Sequence, residues 1–133
     1  MKKIEHIGIA VNNLDDAVLI YEKLFGAQSY KQEEVASEGV KTAFFMNGPN
    51  KIELLEATNP ESPIAKFIAK KGEGIHHIAF DVEDIILEIA RLKKEGFIIL
   101  NEIPKKGADN KLVAFLHPKS TNGVLIELCQ DIR

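Results

Sequence analysis

Apolar and polar residues alternate along this chain in short strand-like runs, interrupted by three stretches of helical period. Ile4–Val11 reads IEHIGIAV, with Ile7, Ile9 and Val11 on one face of a predicted strand and His6, Gly8 and Ala10 on the other. Leu14, Ala17, Val18, Tyr21, Leu24 and Phe25 then fall at helical spacing, behind the cap candidates Asn12 and Asn13 and ahead of Gly26. Strands are predicted at Ser29–Val35, Lys41–Met46 and Lys51–Glu56, the last two joined by the turn Asn47-Gly48-Pro49-Asn50. Ser62 as N-cap and Pro63 at the first helical position predict a short linker helix ending before Gly72. A second series follows: a strand at Ile75–Val82, then a helix stripe of Ile85, Ile86, Ile89 and Leu92 closed by Gly96. Further strands are predicted near Phe97–Leu100, Lys111–Leu116 and Val124–Cys129, with the loop His117–Gly123 between the last two.

The two series are copies. Residues 4–15 (IEHIGIAVNNLD) match residues 75–86 (IHHIAFDVEDII), and the offset from His6 to His77 is 77 − 6 = 71. Lys51-Ile52-Glu53-Leu54-Leu55 matches Leu125-Ile126-Glu127-Leu128-Cys129, and the offset from Glu53 to Glu127 is 127 − 53 = 74. Two matches at nearly one offset point to duplication, with a three-residue loop insertion between them. The period is far longer than that of solenoid repeats, so the reading is two fused half-domains. Each half alone, at roughly 65 residues, would be marginal, so the halves are expected to share a core. The expected organisation is a single domain over 1–133: a first module over about 1–59, a linker helix over about 60–73, and a second module over about 74–133.

Strand alternation singles out four polar residues. His6, Glu53, His77 and Glu127 each lie opposite an apolar stripe, and Gly8 and Ala10 leave space beside His6. A lone His on a strand is more often a core or edge residue than a ligand, and a lone Glu more often faces solvent. Here two His and two Glu recur in register across a duplication. If the sheets curl, all four point into one cavity, where two carboxylates would repel each other and a bound dication would remove the conflict. Two imidazoles and two carboxylates suit Zn, Ni, Co, Fe or Mn better than Mg or Ca. Four protein ligands leave coordination positions open for water or substrate, so the metal could act as a Lewis acid.

Composition narrows the alternatives. The 133 residues are 45% hydrophobic and 28% charged with net charge −3, ordinary for a soluble globular protein. No basic stripe carries interleaved aromatics, so nucleic acid is not an expected partner. One cysteine, Cys129, excludes an internal disulfide and suits a reducing compartment. No apolar run approaches the ~18 residues of a membrane span, and no signal peptide is apparent. A cytoplasmic protein is the expectation.

On these residues the chain resembles the vicinal-oxygen-chelate (glyoxalase/bleomycin resistance) superfamily and, within it, the methylmalonyl-CoA epimerase family. The resemblance rests on Ile4–Val11, Ile52–Leu55, Ser62–Ile68, Gly72–Phe80 and Phe115–Leu128, and it covers nearly the whole chain. His76-His77 and His117-Pro118-Lys119 before Gly123–Glu127 are its more particular features. It implies an α+β fold: two tandem βαβββ modules forming a cupped eight-stranded mixed sheet around a metal site, usually as a homodimer. It places the metal ligands on His6, Glu53, His77 and Glu127 and leaves His76 as a structural residue on the helix side. The implied reaction interconverts the 2R and 2S forms of methylmalonyl-CoA by proton abstraction through a metal-stabilised enolate, with one divalent ion (Co, Zn, Ni or Mn) and an acyl-CoA substrate.

Within that resemblance, Glu127 is the first candidate for the acid/base and Glu53 for the opposite face. Lys119, Ser120 and the backbone donors of their loop are candidates for the substrate carboxylate. Lys66, Lys70 and Lys71, or Lys105 and Lys106, could meet CoA phosphates, although solvated surface charge explains them equally well. Thr42 stands near the place of a second acid/base Glu in some family members and cannot serve as a general base. His117 and Cys129 read as a shaping residue and a small core residue. Two rivals stand: lactoylglutathione lyase (glyoxalase I), which uses the same ligand quartet, and a non-catalytic small-molecule binding module. The turn His117–Gly123 departs from the Asp-Pro-Asp-Gly-like turn common in glyoxalases, and the complete quartet disfavours the module.

Overall fold

The computed structural model describes residues 1–132. In chain order its main elements are β1 (Lys3–Ala10), α1 (Leu14–Phe25), β2 (Lys31–Val35), β3 (Val40–Asn47), β4 (Asn50–Ala57), α2 (Pro63–Lys71), β5 (Gly74–Asp81), α3 (Ile85–Lys94), β6 (Lys105–Lys106), β7 (Lys111–Leu116) and β8 (Ile126–Asp131). The strands form one mixed sheet in the order β2-β3-β4-β1-β5-β8-β7-β6. This is the α+β, twofold βαβββ pattern that the family resemblance implies. No helix among the described residues is long and apolar enough to cross a membrane.

The chain divides into two compact units, one His6–His76 and the other Met1–Glu5 with the chain from His77 on. In the first, β1 runs parallel to β4 with Gly8 opposite Glu53, and β3 runs antiparallel to β4 with Phe44 opposite Glu53. In the second, β5 runs parallel to β8 with Ala79 opposite Glu127, and β7 runs antiparallel to β8 with Phe115 opposite Glu127. Residues 1–5 go with the second unit because their bonds lie there. The Lys2 N–H donates to the Asp81 carbonyl at 2.8 Å, and the terminal amine meets Glu88 at 3.4 Å. Buried Glu5 stands 3.8 Å from buried Lys111. Burial alone would depress the Lys111 ammonium, but its hydrogen bond to Asp131 and the charge of Glu5 hold it above its ordinary value.

Each unit packs a helix on one face of its strands. In the first, Leu14, Ala17 and Val18 of α1 pack with Val11, Ala43, Phe45 and Leu54, backed by Ile9, Tyr21, Phe25 and Ile52. In the second, Ile85, Ile89 and Leu92 of α3 pack with Val82, Ala114, Leu116 and Leu128. The predicted stripes were one residue too wide. Leu24 and Ile86 are exposed, each about 100° around the helix from a neighbour that packs inward, partly buried Phe25 or buried Ile85. Gly26 closes α1 in the left-handed conformation (φ 65°), donating its N–H to the Glu22 carbonyl. Gly48 (φ 63°) opens the two-residue turn between β3 and β4, where Asn47 faces Asn50.

The predicted strand at Phe97–Leu100 does not form. Ile99 makes a single bridge to Leu116, and the edge strand is instead Lys105–Lys106, paired with Val113 and Leu112. Ile98 and Leu100 point out and are exposed. A short lysine edge is a common way to stop a sheet from adding further strands.

The duplication extends to the joints between strands and helices. Asn13 caps α1 by accepting from Asp16 N–H at 3.0 Å, and Asp84 caps α3 by accepting from Leu87 N–H at 3.1 Å. The first N–H of α1, on Leu14, donates to Glu56 Oε1 at 2.5 Å; that of α3, on Ile85, donates to Gln130 Oε1 at 2.7 Å. Glu56 and Gln130 stand three residues beyond Glu53 and Glu127, so they face the helix side of their strands. Each strand therefore anchors its helix with one face and carries its glutamate on the other. Gln130→Ala is expected to lower stability by about 1 kcal/mol, the usual cost of losing a helix-start acceptor. Gln130→Glu, which copies the first unit and puts negative charge at a helix N-terminus, is expected to keep or raise it. Urea unfolding midpoints check both.

Candidate active site: two buried histidine–glutamate pairs

The four predicted polar residues are all buried: His6 is 4% exposed, Glu53 4%, His77 3% and Glu127 6%. In the first unit, His6 Nε2 lies 3.2 Å from Glu53 Oε1. In the second, His77 Nε2 lies 3.2 Å from Glu127 Oε1. The small residues Gly8 and Ala79, opposite the glutamates in the parallel ladders, leave room for the pairs. Sequence reasoning grouped these residues by repeat position, and each unit brings its own His and Glu together.

The separation tests whether the residues suit a metal. Two donor atoms, each about 2.1 Å from one ion and about 100° apart around it, stand about 3.2 Å from each other. Imidazole nitrogen and carboxylate oxygen are suitable donors for a borderline divalent metal. The same distance also lies at the long end of an N–H···O hydrogen bond. In either state a buried carboxylate needs such a partner, because leaving it unpaired in an apolar setting costs several kcal/mol.

One aromatic completes each pair. Phe44 meets the His6 ring edge-on, with centroids 6.3 Å apart and planes at 86°. Phe115 meets the His77 ring in the same way, at 6.2 Å and 89°. Each Phe sits directly across the antiparallel ladder from the glutamate of its pair. The rings restrict imidazole rotation and exclude water from one side. Sequence reading passed over both, though Ala43-Phe44 and Ala114-Phe115 recur at the same offset of 71 as the histidines (114 − 43 = 71).

The second oxygen of each carboxylate also has a partner. Thr42 Oγ1 has two acceptors within reach of its one proton, Glu53 Oε2 at 3.0 Å and the Leu54 carbonyl at 2.9 Å. Cys129 Sγ donates to Glu127 Oε2 at 2.8 Å. Cys129 packs with Ala79 and Val113 as the expected small core residue, but it also touches the glutamate, which the sequence reading had not foreseen. His76 is the structural residue expected: its ring stands edge-on to Phe67 of α2 at 5.0 Å.

The candidate substrate-binding loop is more self-contained than expected. The N–H of Lys119 donates to His117 Nδ1, that of Ser120 to the His117 carbonyl, those of Thr121 and Gly123 to the Pro118 carbonyl, and that of Val124 to the Thr121 carbonyl. These five backbone N–H groups bond inside the turn. The side chains remain. Lys119 is exposed, and Ser120 Oγ accepts from the Ile98 N–H at 3.0 Å, a bond that does not use its own proton. His117 shapes this turn, as expected. Lys66, Lys70, Lys71, Lys105 and Lys106 are all exposed.

Known proteins resemble this chain in sequence and fold. The model of the Glyoxalase/Bleomycin resistance protein/Dioxygenase superfamily matches residues 5–115. An ethylmalonyl-CoA/methylmalonyl-CoA epimerase of Cereibacter sphaeroides is 44% identical over 131 residues, covering 96% of this chain and 97% of that protein. The mitochondrial methylmalonyl-CoA epimerase of Homo sapiens is 40% identical over 129 residues, covering 96% of this chain and 73% of that protein. A solved methylmalonyl-CoA epimerase in complex with methylmalonyl-CoA and NH4+ has a TM-score of 0.94 at 36% identity, covering 98% of this chain and 95% of that one. Duplicated topology, family match and near-full-length relatives agree: the chain belongs to the Glyoxalase/Bleomycin resistance protein/Dioxygenase superfamily and, within it, to the methylmalonyl-CoA epimerase family.

Proposed function

We propose that this chain is a metal-dependent epimerase that interconverts the 2R and 2S forms of methylmalonyl-CoA. One observation carries the reading: a buried His–Glu pair, with Nε2 and Oε1 3.2 Å apart, occurs once in each duplicated unit. Relatives that span nearly the whole chain supply the substrate class.

In this reading His6, Glu53, His77 and Glu127 together hold one divalent ion, of which Co, Zn, Ni and Mn suit the donor set. When bound, such an ion stabilises negative charge developing on a thioester oxygen. The protein's own groups do the rest. The carbon between thioester and carboxylate must lose its proton from one face and regain it on the other. Glu127 accepts that proton, and Glu53 serves the opposite face. Phe44 and Phe115 keep water from the imidazoles. The side chains of Lys119 and Ser120 receive the free carboxylate of the substrate, while the exposed lysines of α2 or β6 meet the CoA phosphates. Acyl-CoA chemistry and a reduced thiol at Cys129 suit the cytoplasm. The family resemblance supports a homodimer.

One epimer of methylmalonyl-CoA, incubated with metal-loaded protein in deuterated water, is expected to invert and to take up deuterium at the inverted carbon. Mass spectrometry with chiral analysis reads both. No exchange, or turnover of the methylglyoxal–glutathione adduct instead, would move the reading to a lyase of the same superfamily. Glu127→Gln is expected to lower kcat by 10²-fold or more, on the scale of losing a general acid/base, while weakening metal binding less. Near-normal turnover with metal bound would remove Glu127 from that role.

A further inference from the structure

The two carboxylates are not held in the same way, and the difference lies across one rung of the sheet. In the first unit, Thr42 of β3 faces Leu55 of β4, and the polar member Thr42 donates to Glu53 Oε2. In the second, the equivalent rung is Val113 of β7 facing Cys129 of β8, and the polar member Cys129 donates to Glu127 Oε2. The offsets confirm the match: Thr42 to Val113 is 113 − 42 = 71, and Leu55 to Cys129 is 129 − 55 = 74. The donor has changed strands, yet it reaches the same oxygen. Thr42 and Cys129 are both 0% exposed, so water does not substitute for either.

We infer that Thr42 and Cys129 are matched positioning residues, one per unit, which hold Oε2 of Glu53 and Glu127 so that each glutamate presents only Oε1 beside its histidine. The inference rests on the reading of these glutamates as metal ligands. A carboxylate rotates freely about its terminal torsion unless a partner fixes it. With Oε2 held, one oxygen faces the imidazole, which sets one-oxygen rather than two-oxygen ligation. Hydrogen bonds to ligating side chains commonly change metal affinity by about 10–100-fold. A hydroxyl is a stronger donor than a thiol, but both have one proton to give.

The rung exchange defines the test. Cys129→Leu is expected to weaken Co(II) binding about 10–100-fold, while Cys129→Ser keeps it close to the starting protein. Adding Val113→Thr to Cys129→Leu rebuilds the first unit's rung in the second and is expected to restore affinity. The reciprocal pair, Thr42→Val with and without Leu55→Cys, is expected to behave alike. Unfolding of each metal-free variant separates lost positioning from lost packing. Unchanged affinity in Cys129→Leu, or a folded double variant that recovers nothing, would overturn the assignment.

A second readout needs no metal. The chain has one cysteine, so its S–H stretching band has a single source. In metal-free protein that band is expected to be shifted to lower frequency by the carboxylate and to move back in Glu127→Gln. An unshifted band would overturn the inference. A shifted band in a protein that binds no metal would instead overturn the ligand reading and leave the contact standing.

Discussion

The fold turns on the burial of two carboxylates. Glu53 and Glu127 sit inside the protein on strands whose other faces are apolar, and a lone buried carboxylate would cost more than a domain of this size can spare. Each is therefore surrounded on both oxygens, by an imidazole on one and by a hydroxyl or thiol on the other. The small residues Gly8 and Ala79 and the edge-on rings of Phe44 and Phe115 follow from the same need. They make room for the pair and then close it off from water.

Duplication supplies this arrangement twice with little new design. Each unit uses one strand for two tasks. Its glutamate points to one face, and a residue three positions on points to the other and takes the first N–H of the packed helix. Shifting such a strand by one residue would turn the carboxylate toward the packed helix and break the helix joint together, so the register is fixed from both sides. The copies have diverged where divergence is cheap. The first unit has Glu56 where the second has Gln130, since either accepts a hydrogen bond, and the donor to Oε2 stands on β3 in one and on β8 in the other, across one ladder rung.

Much of this was legible in the sequence because strand alternation and an internal repeat reinforce each other. The recurrence of His6 at His77 and of Glu53 at Glu127 named the quartet, and Gly26 and Ser62-Pro63 marked helix ends by local chemistry. What stayed hidden depended on ladder register. Thr42 and Cys129 occupy non-equivalent places in the repeat, so only the pairing of β3 with β4 and of β7 with β8 reveals that they do the same work. Phe44 and Phe115 recur visibly, but an apolar residue in an apolar run gives no sign that it faces an imidazole. The run Phe97–Leu100 looked like a strand by composition, yet a strand needs a partner, and β7 gives its edge to Lys105–Lys106 instead.

If the two pairs serve one ion, as proposed, the number of ions bound per chain will show it. Metal-free protein titrated with Co(II), with bound metal measured per chain, should saturate at one equivalent. His6→Ala and His77→Ala should each abolish that single tight site. Two equivalents per chain, one of them surviving each substitution, would mean that the units bind separately, and no tight binding at all would leave the carboxylates paired with histidine alone.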